Sequence, residues 1–119
     1  MKIGFVQNNP VFGEVSKNLA RVEELWGDKT ADLIVLPELF ATGYQFANLE
    51  EARSLSESIP GGPTTDRLIA LAKSHNAVIV AGVAERDGGV LYNSAVIVGP
   101  NGYMGKYRKA HVFGKEKNF

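Results

Sequence analysis

A glutamate directly after a proline is the first group in this sequence that could do chemistry. The apolar run Asp32–Leu36 leads into Pro37 and Glu38. Proline fixes its own φ and biases the residue before it toward an extended conformation, so a buried strand is predicted to end here. Open α/β sheets bind their ligands just outside the carboxyl ends of the strands. The residues that would wall the Glu38 carboxylate follow at once: Leu39, Phe40 and Tyr44.

Two interpretations of Glu38 stay open at this point. A carboxylate walled by apolar side chains is poorly solvated and could act as a base near neutral pH. The alternative is an ordinary solvated charge at the end of a strand. Position alone does not decide between them, because structural networks perturb ionisable groups as active sites do.

A run of basic residues, Lys106-Tyr107-Arg108-Lys109, offers the complementary charge. If this run lies on a strand, its side chains alternate, so Tyr107 and Lys109 share one face and the other two residues share the opposite face. A lysine on the same side as Glu38 could stabilise an oxyanion and favour a neighbouring thiolate. The alternative is the solvated end of a strand.

Polar residues also interrupt the apolar segment around Tyr92-Asn93-Ser94. Buried amides need hydrogen-bond partners, so Asn93 is predicted to tie down a neighbouring loop, with direct contact to a substrate as the alternative. The two histidines, His75 and His111, stand apart from any carboxylate pattern and are not predicted to ligate a metal.

Cysteine is absent from all 119 residues. Its absence excludes disulfides, zinc–thiolate sites and iron–sulfur ligation within this sequence. It also removes the most nucleophilic side chain that an enzyme can use. Any thiol chemistry would therefore need a residue from outside this sequence.

Composition indicates one ordinary globular domain. Hydrophobic residues make up 45% and charged residues 22% of the sequence, and 13 basic residues balance 13 acidic ones. This balance predicts no binding of nucleic acid or of an anionic membrane. No stretch reaches the roughly 18–20 apolar residues that a membrane span needs, and the apolar start is broken too early for a signal peptide, so the expected location is cytoplasmic.

The hydrophobic pattern predicts the element order β-α-β-α-α-β-β-β. Apolar residues at helical spacing separate the first two strands, a βαβ unit whose strands are parallel. The segment Pro60-Gly61-Gly62-Pro63 precedes a third helix, for which Thr64 or Thr65 is the predicted N-cap. The nearly continuous apolar run Ala77–Ala84 predicts a buried strand, and the glycine-rich turns after it predict antiparallel hairpins.

Three segments taken together resemble the nitrilase superfamily of carbon–nitrogen hydrolases. They are residues 36–44, 92–95 and 105–113, which stand in order and at compatible spacings. The similarity covers the whole chain, and Gly82 also matches the family. It implies an α/β fold, the nitrilase-like α-β-β-α sandwich, present here as its N-terminal half with a mixed sheet and flanking helices. Residues 1–119 would then be the N-terminal portion of a single hydrolase domain with no internal boundary.

The resemblance also implies roles for individual residues. It implies a Glu–Lys–Cys triad in which Glu38 is the general base and Lys109 stabilises the tetrahedral intermediate. Glu116 resembles a second glutamate that in several members helps to position the substrate. Phe40 and Tyr44 are expected to shape the substrate pocket. The implied reaction is attack of a thiolate on an amide, carbamoyl or nitrile carbon, and an amide or N-carbamoyl substrate is favoured over a nitrile. No metal or organic cofactor is implied, and the complete protein is expected to be a homodimer.

In that family the nucleophilic cysteine lies on a strand beyond the lysine motif, and this sequence contains none. The chain is therefore either part of an active thiol amidohydrolase or a truncated, non-catalytic module. Half a sandwich exposes an apolar sheet face, yet the run Ala77–Ala84 carries no compensating polar residues, which favours the first interpretation. A generic α/β binding domain, in which Glu38 and Lys109 form only a salt bridge, is a third candidate.

Overall fold

The computed structural model of the protein describes the backbone of residues 1–112 and the side chains of residues 1–109. Helices and strands follow each other within this range in the order that the hydrophobic pattern predicts. The elements are β1 (Ile3–Phe5), α1 (Val15–Trp26), β2 (Leu33–Val35), α2 (Leu49–Leu55), α3 (Pro63–His75), β3 (Val78–Asp87), β4 (Val90–Gly99) and β5 (Gly102–Val112).

The strands form one mixed sheet in the spatial order β1-β2-β3-β4-β5. The first three strands pair in parallel, and β3, β4 and β5 pair antiparallel through two tight hairpins. Helices connect the parallel strands, because a parallel pair needs a long crossover whereas an antiparallel pair can be joined by a short turn. The predicted βαβ unit and the predicted hairpins are confirmed.

Helices α1 and α3 pack on one face of the sheet and form the main core with it. Apolar residues of α1 recur at spacings of three and four, so they line one side of the helix. Trp26 at the end of α1 stacks on His75 at the end of α3, with the ring centroids 3.9 Å apart. The core side chains include Leu19, Val22, Leu68 and Ala72 from the helices and Ile34, Ile79, Ala81 and Val96 from the sheet. Among residues 1–112, no helix is long and apolar enough to span a membrane.

The start of α3 differs from its prediction. Gly62 is the N-cap and Pro63 is the first helical residue, so neither Thr64 nor Thr65 caps the helix. Proline suits the first helical position because it has no N–H group that would need a partner there. The backbone N–H and the hydroxyl of Thr64 both donate to the Glu57 carboxylate, which satisfies a free donor of the first turn.

The face of the sheet opposite these helices carries a row of apolar residues. Direct cross-strand partners share a face, and the strand register aligns the row as Phe5, Val35, Val80 and Ile97. Within the described residues, Phe5 is 75% exposed and Val35 is 40% exposed. A second, smaller cluster packs near the β3–β4 hairpin and consists of Leu39, Phe46, Ala52, Ala84 and Leu91.

Candidate active site

Glu38 lies in a tight turn that follows β2 and folds back onto β3. The backbone N–H of Gly82 donates to the carbonyl oxygen of Pro37 at 3.3 Å, and the N–H of Phe40 donates to the carbonyl oxygen of Gly82 at 3.4 Å. Between these two bonds, Leu39 adopts a left-handed backbone conformation with φ of 52°. Such a conformation is strained in a residue with a side chain and is typical of functional turns.

Gly82 permits this close approach of the turn to the sheet. A Cβ atom at position 82 would lie 2.4 Å from the Glu38 Cα atom and 2.9 Å from the Leu39 nitrogen. Both neighbours are backbone atoms, so no side-chain rotation could relieve the clash. A glycine on β3 is therefore a requirement for placing Glu38 where it stands.

Two asparagines hold the turn from its other side, and sequence reasoning missed both. Asn8 donates through Nδ2 to the carbonyl oxygen of Phe40 at 2.9 Å. Asn18 donates through Nδ2 to the carbonyl oxygen of Ala41 at 2.7 Å and to that of Val11 at 2.8 Å, and its Oδ1 accepts the Val11 N–H. Asn18 could have been found from the sequence, because it falls on the buried side of α1, where a polar residue requires partners.

Lys109 of β5 and Asn93 of β4 both contact the Glu38 carboxylate. Lys109 Nζ donates to Glu38 Oε1 at 2.8 Å, and Asn93 Nδ2 donates to the same oxygen. The Glu38 and Lys109 side chains are each 49% exposed. The structure thus brings together the two predicted catalytic residues, and it confirms that Asn93 ties down a neighbouring loop, here through the carboxylate itself.

A cleft of about 190 Å³ opens beside this ion pair. It lies on the sheet face opposite the helices, and Tyr107 stands next to Lys109 along its rim, as the alternation of side chains predicts. The remaining lining comes from the strands and the end of β2: Leu36, Val80, Ala81, Gly82, Asn93, Ser94 and Ala95.

The residues expected to wall Glu38 lie elsewhere. Phe40 is fully buried in the main core, and Leu39 packs in the smaller cluster, because the left-handed turn directs the chain back toward the sheet. Tyr44 is 65% exposed and is not among the residues that line the cleft. Phe40 therefore presents no side-chain surface to a substrate here, and the role of Tyr44 stays a prediction. Glu116 lies outside the described residues.

On the other face of β5, Lys106 and Arg108 bind Glu85, which is only 1% exposed. Burial alone would raise the pKa of Glu85, but hydrogen bonds from Arg108, Lys106 and Ser94 lower it to about 2. The same pairing raises the pKa of Arg108. This cluster was not predicted, because Glu85 stands near a turn and its partners are remote in sequence.

The family model for carbon–nitrogen hydrolases matches residues 2–118. The chain belongs to the carbon–nitrogen hydrolase family. The match confirms the family resemblance on which the site residues were predicted, and the mixed sheet with flanking helices confirms the expected α/β fold.

Individual relatives of this carbon–nitrogen hydrolase chain are nitrilases and amidases. It is 49% identical over 122 residues to a nitrilase of Pyrococcus abyssi (strain GE5 / Orsay), covering all of this chain and 47% of that protein. It is 38% identical over 115 residues to the 2-oxoglutaramate amidase of Bacillus subtilis (strain 168), covering 93% of this chain and 43% of that protein.

A solved structure of an N-terminal amidase superposes with a TM-score of 0.87 at 26% identity, over 98% of this chain and 29% of the other. The chain thus spans less than half the length of the curated relatives described above.

Proposed function

We propose that the protein of which these residues form part hydrolyses carbon–nitrogen bonds in amide or N-carbamoyl compounds by a thiol mechanism. The contact of 2.8 Å between Lys109 Nζ and Glu38 Oε1 carries the proposal. It puts a base and a cation side by side in a cleft, beyond the end of a parallel strand, in a chain of this family.

In the proposed reaction, Glu38 removes the proton from a cysteine thiol, and the thiolate attacks the carbonyl carbon. Negative charge develops on the carbonyl oxygen, where the Lys109 ammonium stabilises it. Glu38 then passes its proton to the departing nitrogen, so ammonia or an amine leaves and a thioester remains. Water, deprotonated by Glu38, hydrolyses the thioester and restores the thiol.

The cysteine of this mechanism is not among the 119 residues. We propose that a further segment of the same domain supplies it, and that residues 1–119 are the N-terminal portion of that domain. Two observations support this proposal. The chain covers less than half of each curated relative described above, and its sheet face beside the cleft is apolar and partly exposed.

Steady-state hydrolysis by the whole protein tests the proposal. Ammonia release is measured with primary amides, N-carbamoyl amino acids and nitriles as alternative substrates. Glu38→Gln and Lys109→Ala are each expected to lower kcat by about 100-fold or more, as general-base and oxyanion groups do. Amides or N-carbamoyl compounds are expected to be turned over faster than nitriles.

The matched control is Glu23→Gln, because Glu23 pairs with Arg67 at 2.6 Å with similar exposure but outside the cleft. It should leave kcat unchanged. Since exposed ion pairs contribute about 0–1 kcal/mol, none of the three variants should lower the free energy of unfolding by more than about 1 kcal/mol. Full turnover in Glu38→Gln, or a large loss of stability without a loss of turnover, would refute the catalytic roles and indicate a structural salt bridge.

A further inference from the structure

We propose that Glu85 is a positioning residue that holds β5 so that Lys109 reaches Glu38. This inference rests on the proposed function for its catalytic meaning, although the geometry that it claims can be tested without catalysis. Glu85 acts from the face of the sheet opposite the cleft, through the residues that flank Lys109 in sequence.

Glu85 anchors β5 through both of its carboxylate oxygens. Oε1 accepts from Arg108 Nε at 2.9 Å and from Ser94 Oγ at 2.7 Å. Oε2 accepts from Arg108 Nη2 at 2.9 Å and from Lys106 Nζ. The arginine is thus held by two parallel bonds, a geometry that restricts its orientation as well as its distance.

The pairing of β4 with β5 does not by itself fix the position of Lys109. Arg108 lies opposite Ser94 in the β4–β5 ladder, but Val112 lies opposite Tyr92, so residues 109–111 of β5 face the single residue Asn93. Such a bulge disrupts the ladder and redirects the strand. Lys109 is the first residue past the regular pairing, and Arg108 is the last residue before it.

The buried position of Glu85 stabilises its contacts with β5. Its side chain is 1% exposed, and three residues donate four hydrogen bonds to it. Hydrogen bonds from Arg108, Lys106 and Ser94 lower the pKa of Glu85 to about 2, so its carboxylate is charged at neutral pH. Lys106 Nζ also donates to the carbonyl oxygen of Ile59 at 2.8 Å, which ties the same strand to the segment before α3. Side chains alternate along β5, so one face of the strand binds Glu85 and the opposite face carries Lys109, which pairs with Glu38.

Carbodiimide cross-linking of the whole protein measures the claimed geometry directly. A water-soluble carbodiimide joins a carboxylate to an amine in contact with it, and mass spectrometry of the digest quantifies the Glu38–Lys109 product. Glu85→Gln is expected to lower the yield about fivefold or more, which corresponds to a shift of about 1 kcal/mol in a local equilibrium. Asp87→Asn is the matched control, because Asp87 also accepts from Arg108 but is exposed; its yield should match wild type.

Arg108→Gln provides a second variant in case Glu85→Gln does not fold. It leaves Glu85 with Lys106 and Ser94 as donors, and it is expected to lower the yield by a similar factor. Folding of each variant is checked by circular dichroism and thermal melting.

Wild-type yield in a folded Glu85→Gln or Arg108→Gln variant would overturn the inference. So would failure of both variants to fold, because Glu85 would then support the whole domain rather than position Lys109. Absence of the product in wild type would instead contradict the ion pair on which the proposed function stands.

Discussion

Replacing Gly82 by alanine tests the close approach of the Glu38 turn to β3. The added Cβ atom would lie 2.4 Å from the Glu38 Cα atom, whereas ordinary contacts begin at 3.4 Å. Strand and turn must therefore separate by about 1 Å, a strain typical of overpacked sites. The backbone bonds from Gly82 to Pro37 and from Phe40 to Gly82 are already 3.3 and 3.4 Å long, so this separation breaks both.

The expected cost can be estimated from these contributions. Each lost hydrogen bond costs about 1 kcal/mol, and overpacking against rigid backbone costs about 1 kcal/mol more even after the turn has moved. We therefore expect the free energy of unfolding to fall by about 3 kcal/mol and the melting temperature to fall by about 10 °C. The same displacement should move the Glu38 carboxylate out of contact with Lys109.

Urea unfolding followed by tryptophan fluorescence provides the assay. Trp26 is the single tryptophan of the sequence, is 2% exposed and stacks on His75, so its emission reports on the main core. Gly105→Ala is the matched control, since Gly105 lies on β5 of the same sheet and an added Cβ there meets nothing within 4 Å. Its stability should stay within about 0.5 kcal/mol of wild type. Equal stability of the two alanine variants would refute the reasoning.

Two further perturbations test the supports of the site. The pKa of Glu85 falls from 4.5 to about 2 on folding, so the folded chain binds fewer protons than the unfolded chain in that range. The contribution of Glu85 to the free energy of unfolding should therefore be fully present above about pH 5 and should decrease toward pH 2. Glu85→Gln should lower the free energy of unfolding by about 3 kcal/mol at pH 6 and should make that free energy less dependent on pH. Urea unfolding at pH 6 and pH 3 would measure both effects. An unchanged pH dependence in the variant would show that other carboxylates cause it. Asn18→Ala removes the bonds to Val11 and Ala41 and should cost about 2 kcal/mol in the same assay. Lys17→Ala, on the exposed side of α1, should cost less than about 0.5 kcal/mol, and similar losses in both variants would contradict the role of Asn18.

The parts of this structure that local patterns encode could be predicted from the sequence. The spacing of apolar residues defined α1, and the proline after β2 located Glu38 at a strand end. Strand alternation placed Lys109 on one face and Arg108 on the other, as the contacts confirm. Family resemblance then joined Glu38 to Lys109, which a pattern limited to neighbouring residues cannot do.

The parts that depend on remote partners could not be predicted in the same way. The apolar run ends at Ala84, so the prediction closed β3 there, yet the strand continues to Asp87. It continues because Glu85 accepts hydrogen bonds from Ser94 on β4 and from two cations on β5. Without these partners, burial of the carboxylate would cost too much free energy. Likewise, the place of Phe40 in the core follows from the left-handed turn at Leu39. A leucine at that position does not predict such a turn.

The alternation along β5 also constrains how this strand can change in length. Removing Tyr107 would shift the residues after it by one position and exchange their faces. Arg108 would then take the place of Tyr107 in the cleft, Lys109 would face Glu85, and Ala110 would take the place from which Lys109 reaches Glu38. The cleft would hold a planar guanidinium with several fixed donors two residues earlier on the strand, in place of the single ammonium beside the base. A one-residue deletion here would thus keep the net charge of the strand while removing the cation that contacts Glu38, which makes β5 more sensitive to changes of length than to substitution of its exposed residues.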